Sequence, residues 1–192
     1  MRLFIAVSPG VDVLRRIDHL LDALRPKAPS AKWVKAESLH VTLAFLGEQT
    51  AEMAAKVSEA LVAEAASHAP FELRFKGGGS FGRPSRPRIL WASCDGDLAA
   101  LGRLQQGITT RLVPLGHAPE DREFNPHLTL ARARDHAGDP ALARCVPGLQ
   151  NEDFGAVTVT EVTLYESRLS PAGPHYEPLV RARLTGSGPL AQ

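Results

Sequence analysis

Leu39-His40-Val41-Thr42-Leu43-Ala44-Phe45-Leu46 is echoed later in the chain by Pro126-His127-Leu128-Thr129-Leu130-Ala131-Arg132. Both stretches run His, an apolar residue, Thr, Leu, Ala, and their histidines lie 127 − 40 = 87 residues apart. One copy in each half of a 192-residue chain points to a duplicated lobe whose two copies face each other. Each stretch alternates as a strand does, with side chains at i and i+2 on one face. His40 and Thr42 then share one face, with Val41, Leu43 and Phe45 behind them on the core side. His127 and Thr129 share the equivalent face, with Leu128 and Leu130 behind. An imidazole handles a proton near neutrality, and a hydroxyl donates to an anionic oxygen. A single copy reads most simply as a half-buried strand with an incidental polar face. The repetition makes the two pairs a candidate acid–base site.

Composition narrows the partners. The chain is 44% hydrophobic, enough for one domain with a sizeable core, or two small lobes sharing one. Charged residues make up 22% and the formal net charge is +1, so an anionic partner must be held by a local patch rather than by the whole field. Cys94 and Cys145 form no CxxC pair and no metal-ligand cluster. The apolar run from Leu3 to Val7 is too short for a signal peptide and meets Pro9-Gly10 at once. No apolar run approaches membrane-spanning length. The expectation is a soluble cytoplasmic monomer with no membrane partner.

In chain order, Leu3 to Val7 reads as a buried strand, and Val13, Leu14, Ile17, Leu20, Leu21 and Leu24 as a helix stopped by Pro26. Lys32-Trp33-Val34 reads as a short strand with Trp33 as a packing residue. Thr50 caps a second helix through Ala65, and Asp97 caps a third that ends at Pro114. Phe71 to Phe75 and Ile89 to Ala92 read as strands. The segment from Lys76 to Arg88 between them, rich in Gly and Pro, reads as a loop. Its Gly78-Gly79-Ser80-Phe81-Gly82 matches a nucleophile elbow only formally, because Pro84 and Pro87 forbid the helix an elbow needs. Its four positive charges around Phe81 either guide a nucleic-acid backbone or are simply solvated. Gly138-Asp139-Pro140 opens a short helical stretch, and three strands close the chain, at 156–160, 161–166 and 176–184. The tail from Gly186 to Gln192 is expected to fray. His19 and His68 fall in helices, and with His117, His136 and His175 they lack the threonine partner. Interleaved helices and closely spaced late strands give an α+β fold, two related sheets in one domain over 1–192.

The double His-x-Thr-Leu pattern, in a chain of this size, resembles the two-histidine (2H) phosphoesterase superfamily, and within it the RNA 2′,3′-cyclic phosphodiesterases, also called bacterial and archaeal 2′-5′ RNA ligases. Arg2-Leu3-Phe4-Ile5-Ala6 and Leu164-Tyr165-Glu166-Ser167-Arg168-Leu169 support the likeness, which spans essentially the full length. The resemblance implies two pseudo-symmetric lobes of mainly antiparallel sheet with outer helices around a central cleft. It implies hydrolysis of RNA 2′,3′-cyclic phosphate ends to 2′-phosphates, and 2′-5′ joining of RNA ends by some members. It carries over His40 as proton donor, His127 as proton acceptor, and Thr42 and Thr129 as phosphate-binding residues. The near-equivalence of the two copies leaves the acid and base roles unassigned by the residues themselves. No metal or other cofactor is implied, and no carboxylate or cysteine in either motif completes a coordination sphere. The substrate class that the resemblance implies is RNA with a cyclic phosphate end, tRNA fragments and cyclic nucleotides included.

Arg132 is a phosphate-binding candidate with a geometric condition. Strict alternation puts it on the face away from His127, so it reaches a phosphate only if the strand ends or bulges. Phe45 offers a base a ring to stack on, but the same alternation sends it to the core. Two other functions compete: a non-catalytic RNA-end binding module, which needs the cleft but no paired acid and base, and a 2H enzyme acting on another phosphoester. Turnover of a nucleoside 2′,3′-cyclic phosphate separates binder from enzyme.

Overall fold

The computed structural model describes residues 1–119, 123–170 and 173–187. The described residues form nine strands in one sheet: β1 (Arg2–Val7), β2 (Lys32–Trp33), β3 (Val41–Glu48), β4 (Phe71–Arg83), β5 (Arg86–Gly96), β6 (His127–Arg132), β7 (Asp153–Val159), β8 (Glu161–Ser170) and β9 (Gly173–Arg183). The helices are α1 (Val11–Leu24), α2 (Ala51–Ala65), α3 (Leu98–Leu112) and the single turn α4 (Pro140–Ala143). The strand order is β7-β4-β5-β6-β3-β1-β8-β9, with β2 added beside β6. Neighbouring strands pair antiparallel throughout. The α+β class is as expected, but the two related sheets are one continuous sheet: pairing of β6 with β3 joins a lobe of β7-β4-β5-β6, with β2, to a lobe of β3-β1-β8-β9, each with its His-x-Thr strand innermost.

Helices cover one face of the sheet: α1 lies on β7, α2 on β8 and β9, α3 on β3 and β4, and α4 on β5. That face carries a continuous core in which Ile5, Ile17, Leu21, Leu73, Leu90, Leu101, Leu104 and Leu128 are fully buried. Each such side chain contributes on the order of 1.5–3 kcal/mol. The caps are where the sequence puts them. The Thr50 hydroxyl accepts from the Met53 amide at 3.1 Å, and the Asp97 carboxylate from the Ala100 amide at 2.8 Å. Trp33 packs and donates its indole N–H to the Ala28 carbonyl at 2.9 Å. Cys94 and Cys145 are free and buried, and burial pushes the Cys94 thiol up to about 12. Among the described residues no helix is long and apolar enough to cross a membrane.

Four local expectations change. The segment from Lys76 to Arg88 is a long β-hairpin, not a loop: β4 and β5 pair along their length and only Pro84 and Ser85 connect them. Its glycines serve the sheet. Gly77 (φ 70°) and Gly82 (φ 107°) sit at two irregularities of register, and a Cβ on Gly79 would lie 2.9 Å from the Trp91 ring. Phe45 is not core but 62% exposed. His40 directly precedes its strand rather than lying in it. His68 lies in the turn after α2 rather than in the helix. Of the expected frayed tail, residues 188–192 lie outside the described residues.

Candidate active site

The two motif strands meet at the seam of the sheet, where Val41 pairs with Leu128. In an antiparallel ladder this register sets His40 opposite Thr129 and Thr42 opposite His127. The histidines are then diagonal neighbours, roughly 7–8 Å apart. All four side chains stand on the face that the helices leave open, and all four are half-buried. Neither threonine hydroxyl has a partner among the described residues.

Each ring is held by the same device. His40 Nδ1 lies 2.8 Å from the Ser38 carbonyl, and His127 Nδ1 lies 2.7 Å from the Asn125 carbonyl. A carbonyl can only accept, so Nδ1 carries the hydrogen in both. That leaves each Nε2 as the working nitrogen, an acceptor when the ring is neutral and a donor when it is charged. The backbone two residues upstream therefore fixes tautomer and orientation together.

The bulge on which the Arg132 assignment depended is present, and it occurs twice. Between β1 and β3 the register passes from Ala6↔Thr42 to Ile5↔Ala44, leaving Leu43 unmatched. Between β5 and β6 it passes from Trp91↔Thr129 to Leu90↔Ala131, leaving Leu130 unmatched. Both bulges follow the motif threonine and shift the alternation by one residue. They bring Phe45 and Arg132, the residues three positions after each threonine, onto the histidine face. Phe4, which pairs with Phe45, has its ring 4.7 Å from that of His40. The Arg132 guanidinium is close enough for its charge to act on both His40 and Tyr176.

Aromatic rings complete the face, and the sequence reading missed most of them. His40 meets both Phe4 and Tyr176, the latter edge-on with centroids 5.2 Å apart, and those two rings also touch each other. Tyr165 stacks on Phe4 at 5.2 Å. In the other lobe Phe81 meets His127 edge-on at 5.2 Å and leans on Trp91 at the same distance. Burial is the main cause that lowers the His40 pKa below its ordinary value; the Arg132 charge adds to it, and the bond to the Ser38 carbonyl opposes it. Burial likewise raises the Tyr176 phenol, against the charges of Arg132 and Arg2. Phe4 was hidden because β1 is apolar on both faces, so its alternation is silent. Trp91, alternating with Leu90 and Ala92, could have been placed by the same period-2 argument used for the histidines.

Two surface hollows, at Asp12, Arg15, Arg16 and Gly155 and at Glu64, Gln106, Gly107 and Arg111, lie beside the helices, away from both histidines. The histidine face is an open groove, a shape that admits the end of a polymer. Among the described residues no three His, Cys, Asp or Glu side chains converge as metal ligands would.

Comparison with known proteins bears on the family and the fold. The sequence profile of the 2′-5′ RNA ligase superfamily matches residues 12–170. A protein of Aeropyrum pernix named RNA 2′,3′-cyclic phosphodiesterase is 34% identical over 173 residues, covering 90% of this chain and 97% of its own. The crystal structure of a Thermus thermophilus protein superposes with a TM-score of 0.78 at 30% identity, covering 98% of this chain and all of that one. LigT of Escherichia coli, crystallised with 3′-AMP, superposes with a TM-score of 0.74 at 29% identity, over 96% of this chain and 98% of its own.

Proposed function

The chain belongs to the 2′-5′ RNA ligase superfamily and is a phosphodiesterase of RNA 2′,3′-cyclic ends, and we propose that it opens them to 2′-phosphates with His40 and His127 as its proton-transfer pair and without a metal ion. The observation that carries the proposal is the Val41↔Leu128 register together with the two matched Nδ1 bonds. They present two Nε2 atoms to one groove from opposite strands. In-line displacement at phosphorus needs a base behind the attacking water and an acid behind the leaving oxygen.

The 3′ oxygen of the cyclic ester leaves as its proton arrives from one histidine, while the other takes the proton of the water. With the family's assignment His40 gives and His127 takes. In the free protein burial, with the Arg132 charge as a lesser cause, holds His40 toward its neutral form. A phosphodiester seated between His40 and Arg132 places a negative charge there, offsets the cation, and restores the proton that a donor needs. Thr42 and Thr129 donate to the non-bridging oxygens as charge builds. The same geometry, with a 5′-hydroxyl in place of water, runs the joining reaction and leaves a 2′-5′ bond.

An oligonucleotide with a 2′,3′-cyclic end, incubated with the protein in excess chelator, tests the proposal. The expected product resists a phosphatase specific for 3′-phosphates. A sensitive end assigns the other regiochemistry, and loss of turnover that a divalent ion restores removes the metal-free mechanism.

A further inference from the structure

The sheet continues the groove beyond His40 along one lobe. Arg2 pairs with Ser167 across β1 and β8, and Ser167 pairs with Tyr176 across β8 and β9. Directly paired residues share a face. Tyr176 touches His40 and Phe4, so the whole row stands on the histidine side. The next row inward is Phe45, Phe4 and Tyr165. From Ala6, beside Thr42, to Arg2 is four residues of β1, or about 13 Å. The row therefore lies outside the reacting phosphate but within the same groove.

One other cation on this face of the lobe is spent: Arg181, which pairs across with Thr163, is bonded to Glu161. Glu48, the cross-strand neighbour of Arg2, is instead 3.3 Å from the N-terminal ammonium. Among the described residues no carboxylate takes the Arg2 guanidinium. At the far end of the groove the hairpin tip was the alternative path for a strand, but its Arg86 guanidinium donates to the Ala137 and Gly138 carbonyls at 3.3 and 3.2 Å. An unpaired guanidinium, two hydroxyls and an exposed aromatic ring in sequence along a groove match a sugar-phosphate backbone with one base stacked beside it.

We propose that Arg2, Ser167 and Tyr176, with Phe45 beside them, form a subsite for the RNA strand upstream of the cyclic end, so that the strand leaves the reaction centre over the β1-β8-β9 lobe. Arg2 and the two hydroxyls bind the first internal phosphodiester, and the Phe45 ring stacks a base. The subsite rests on the phosphodiesterase reading above and makes the protein prefer an oligonucleotide end to a lone nucleotide.

The test compares kcat/KM on a trinucleotide ending in a 2′,3′-cyclic phosphate with kcat/KM on a nucleoside 2′,3′-cyclic phosphate, for wild type and for Arg2→Ala, Arg2→Gln, Tyr176→Phe and Arg83→Ala. Turnover of the nucleoside ester by wild type checks the underlying activity separately from the subsite. Each Arg2 variant is expected to lower the trinucleotide-to-nucleotide ratio about tenfold and to flatten the salt slope of trinucleotide binding by about 0.7, one phosphate contact on a single strand. Tyr176→Phe lowers the ratio less. Arg83→Ala leaves the ratio near its wild-type value. An Arg2 ratio equal to wild type, or a ratio that moves with Arg83 instead, overturns the proposal and sends the strand over the hairpin.

Discussion

The half of the sheet around His40 and the half around His127 share a backbone but not an environment. Both have the same His-x-Thr spacing, the same Nδ1 bond to a carbonyl two residues upstream, and the same bulge after the threonine. Around that shared frame the side chains diverge. Where one lobe has Ala6 beside its threonine, the other has Trp91. Where one has Phe45 past the bulge, the other has Arg132. His40 is flanked by two rings and faces a cation from the opposite lobe, whereas among the described residues Phe81 is the one ring that meets His127. The duplication sets two histidines in register, and the substitutions around them give the two rings different surroundings. The proposed reaction, with one acid and one base, calls for such a difference.

The largest expected effect tests what the halves share. His40→Ala and His127→Ala should each lower kcat on a nucleoside 2′,3′-cyclic phosphate by on the order of 10²–10⁴. The double variant should lose far less than the product of the two factors, because the pair acts as a unit. Steady-state kinetics on the three variants decides it. A single variant that keeps near-wild-type kcat reduces the repeated motif to architecture.

The next effect tests what they do not share. Arg132→Ala should lower kcat/KM by on the order of 10², the scale of losing one charged contact to a developing oxyanion. Phe45→Ala, its positional counterpart, should cost less on a small substrate. The pH profile sharpens the contrast. The Arg132 charge contributes to lowering the His40 pKa, so removing it raises that pKa. If His40 is the donor, the alkaline limb of the kcat/KM bell moves to higher pH and the bell widens. If His40 is the acceptor, the acid limb moves up and the bell narrows. The limbs belong to the coupled pair, so the direction of movement on substitution, rather than either limb's value, assigns the roles. Unmoved limbs would place the Arg132 charge outside the working site.

How much of this was legible depended on the range of the physics. The motif strands, Thr50 and Asp97 as caps, and the stop after α1 are local, and the sequence showed them. The α+β arrangement followed from their order. The β4-β5 hairpin was not legible, because Gly77 to Gly82 and Pro84 read as loop punctuation while pairing with β5 and the packing of Trp91 on Gly79 decided the outcome. Neither were the bulges. Alternation sent Phe45 to the core and turned Arg132 away, and only the unmatched Leu43 and Leu130 reversed both. Tyr176 could not be connected to His40 from 136 positions away in sequence (176 − 40 = 136).

The smallest expected effect concerns whether the two lobes stand or fall together. α2 lies over β8 and β9, and α3 lies over both β3 and β4, across the division between the lobes, so their contact ties the β8-β9 end of one lobe to a helix that reaches the other. Glu64 is buried at that contact, bonded to His68 Nε2 at 2.8 Å and to the Arg111 guanidinium. Gly107 makes room for it, since a Cβ there would overlap the Glu64 carboxylate. Burial pushes the Glu64 carboxyl up, but the bonds from Arg111 and His68 and their charges outweigh it and hold the pKa below its ordinary value. A carboxylate depressed in the folded state contributes stability that is full above the unfolded value, near ~4.3, and is lost as pH falls through the folded one. Glu64→Gln should therefore cost about 1–2 kcal/mol at pH 7, a figure held down because Arg111 is 45% exposed at its side chain. The deficit should shrink as pH falls below about 4. Urea unfolding of both proteins at pH 7 and pH 3.5, followed by tryptophan fluorescence and far-UV circular dichroism, measures it. Coincident transitions in the variant mean that the lobes still unfold as one unit. Transitions that separate in the variant but coincide in wild type make Glu64 the tether between them. A deficit that does not change with pH shows that the loss is one of packing around Gly107 rather than of charge.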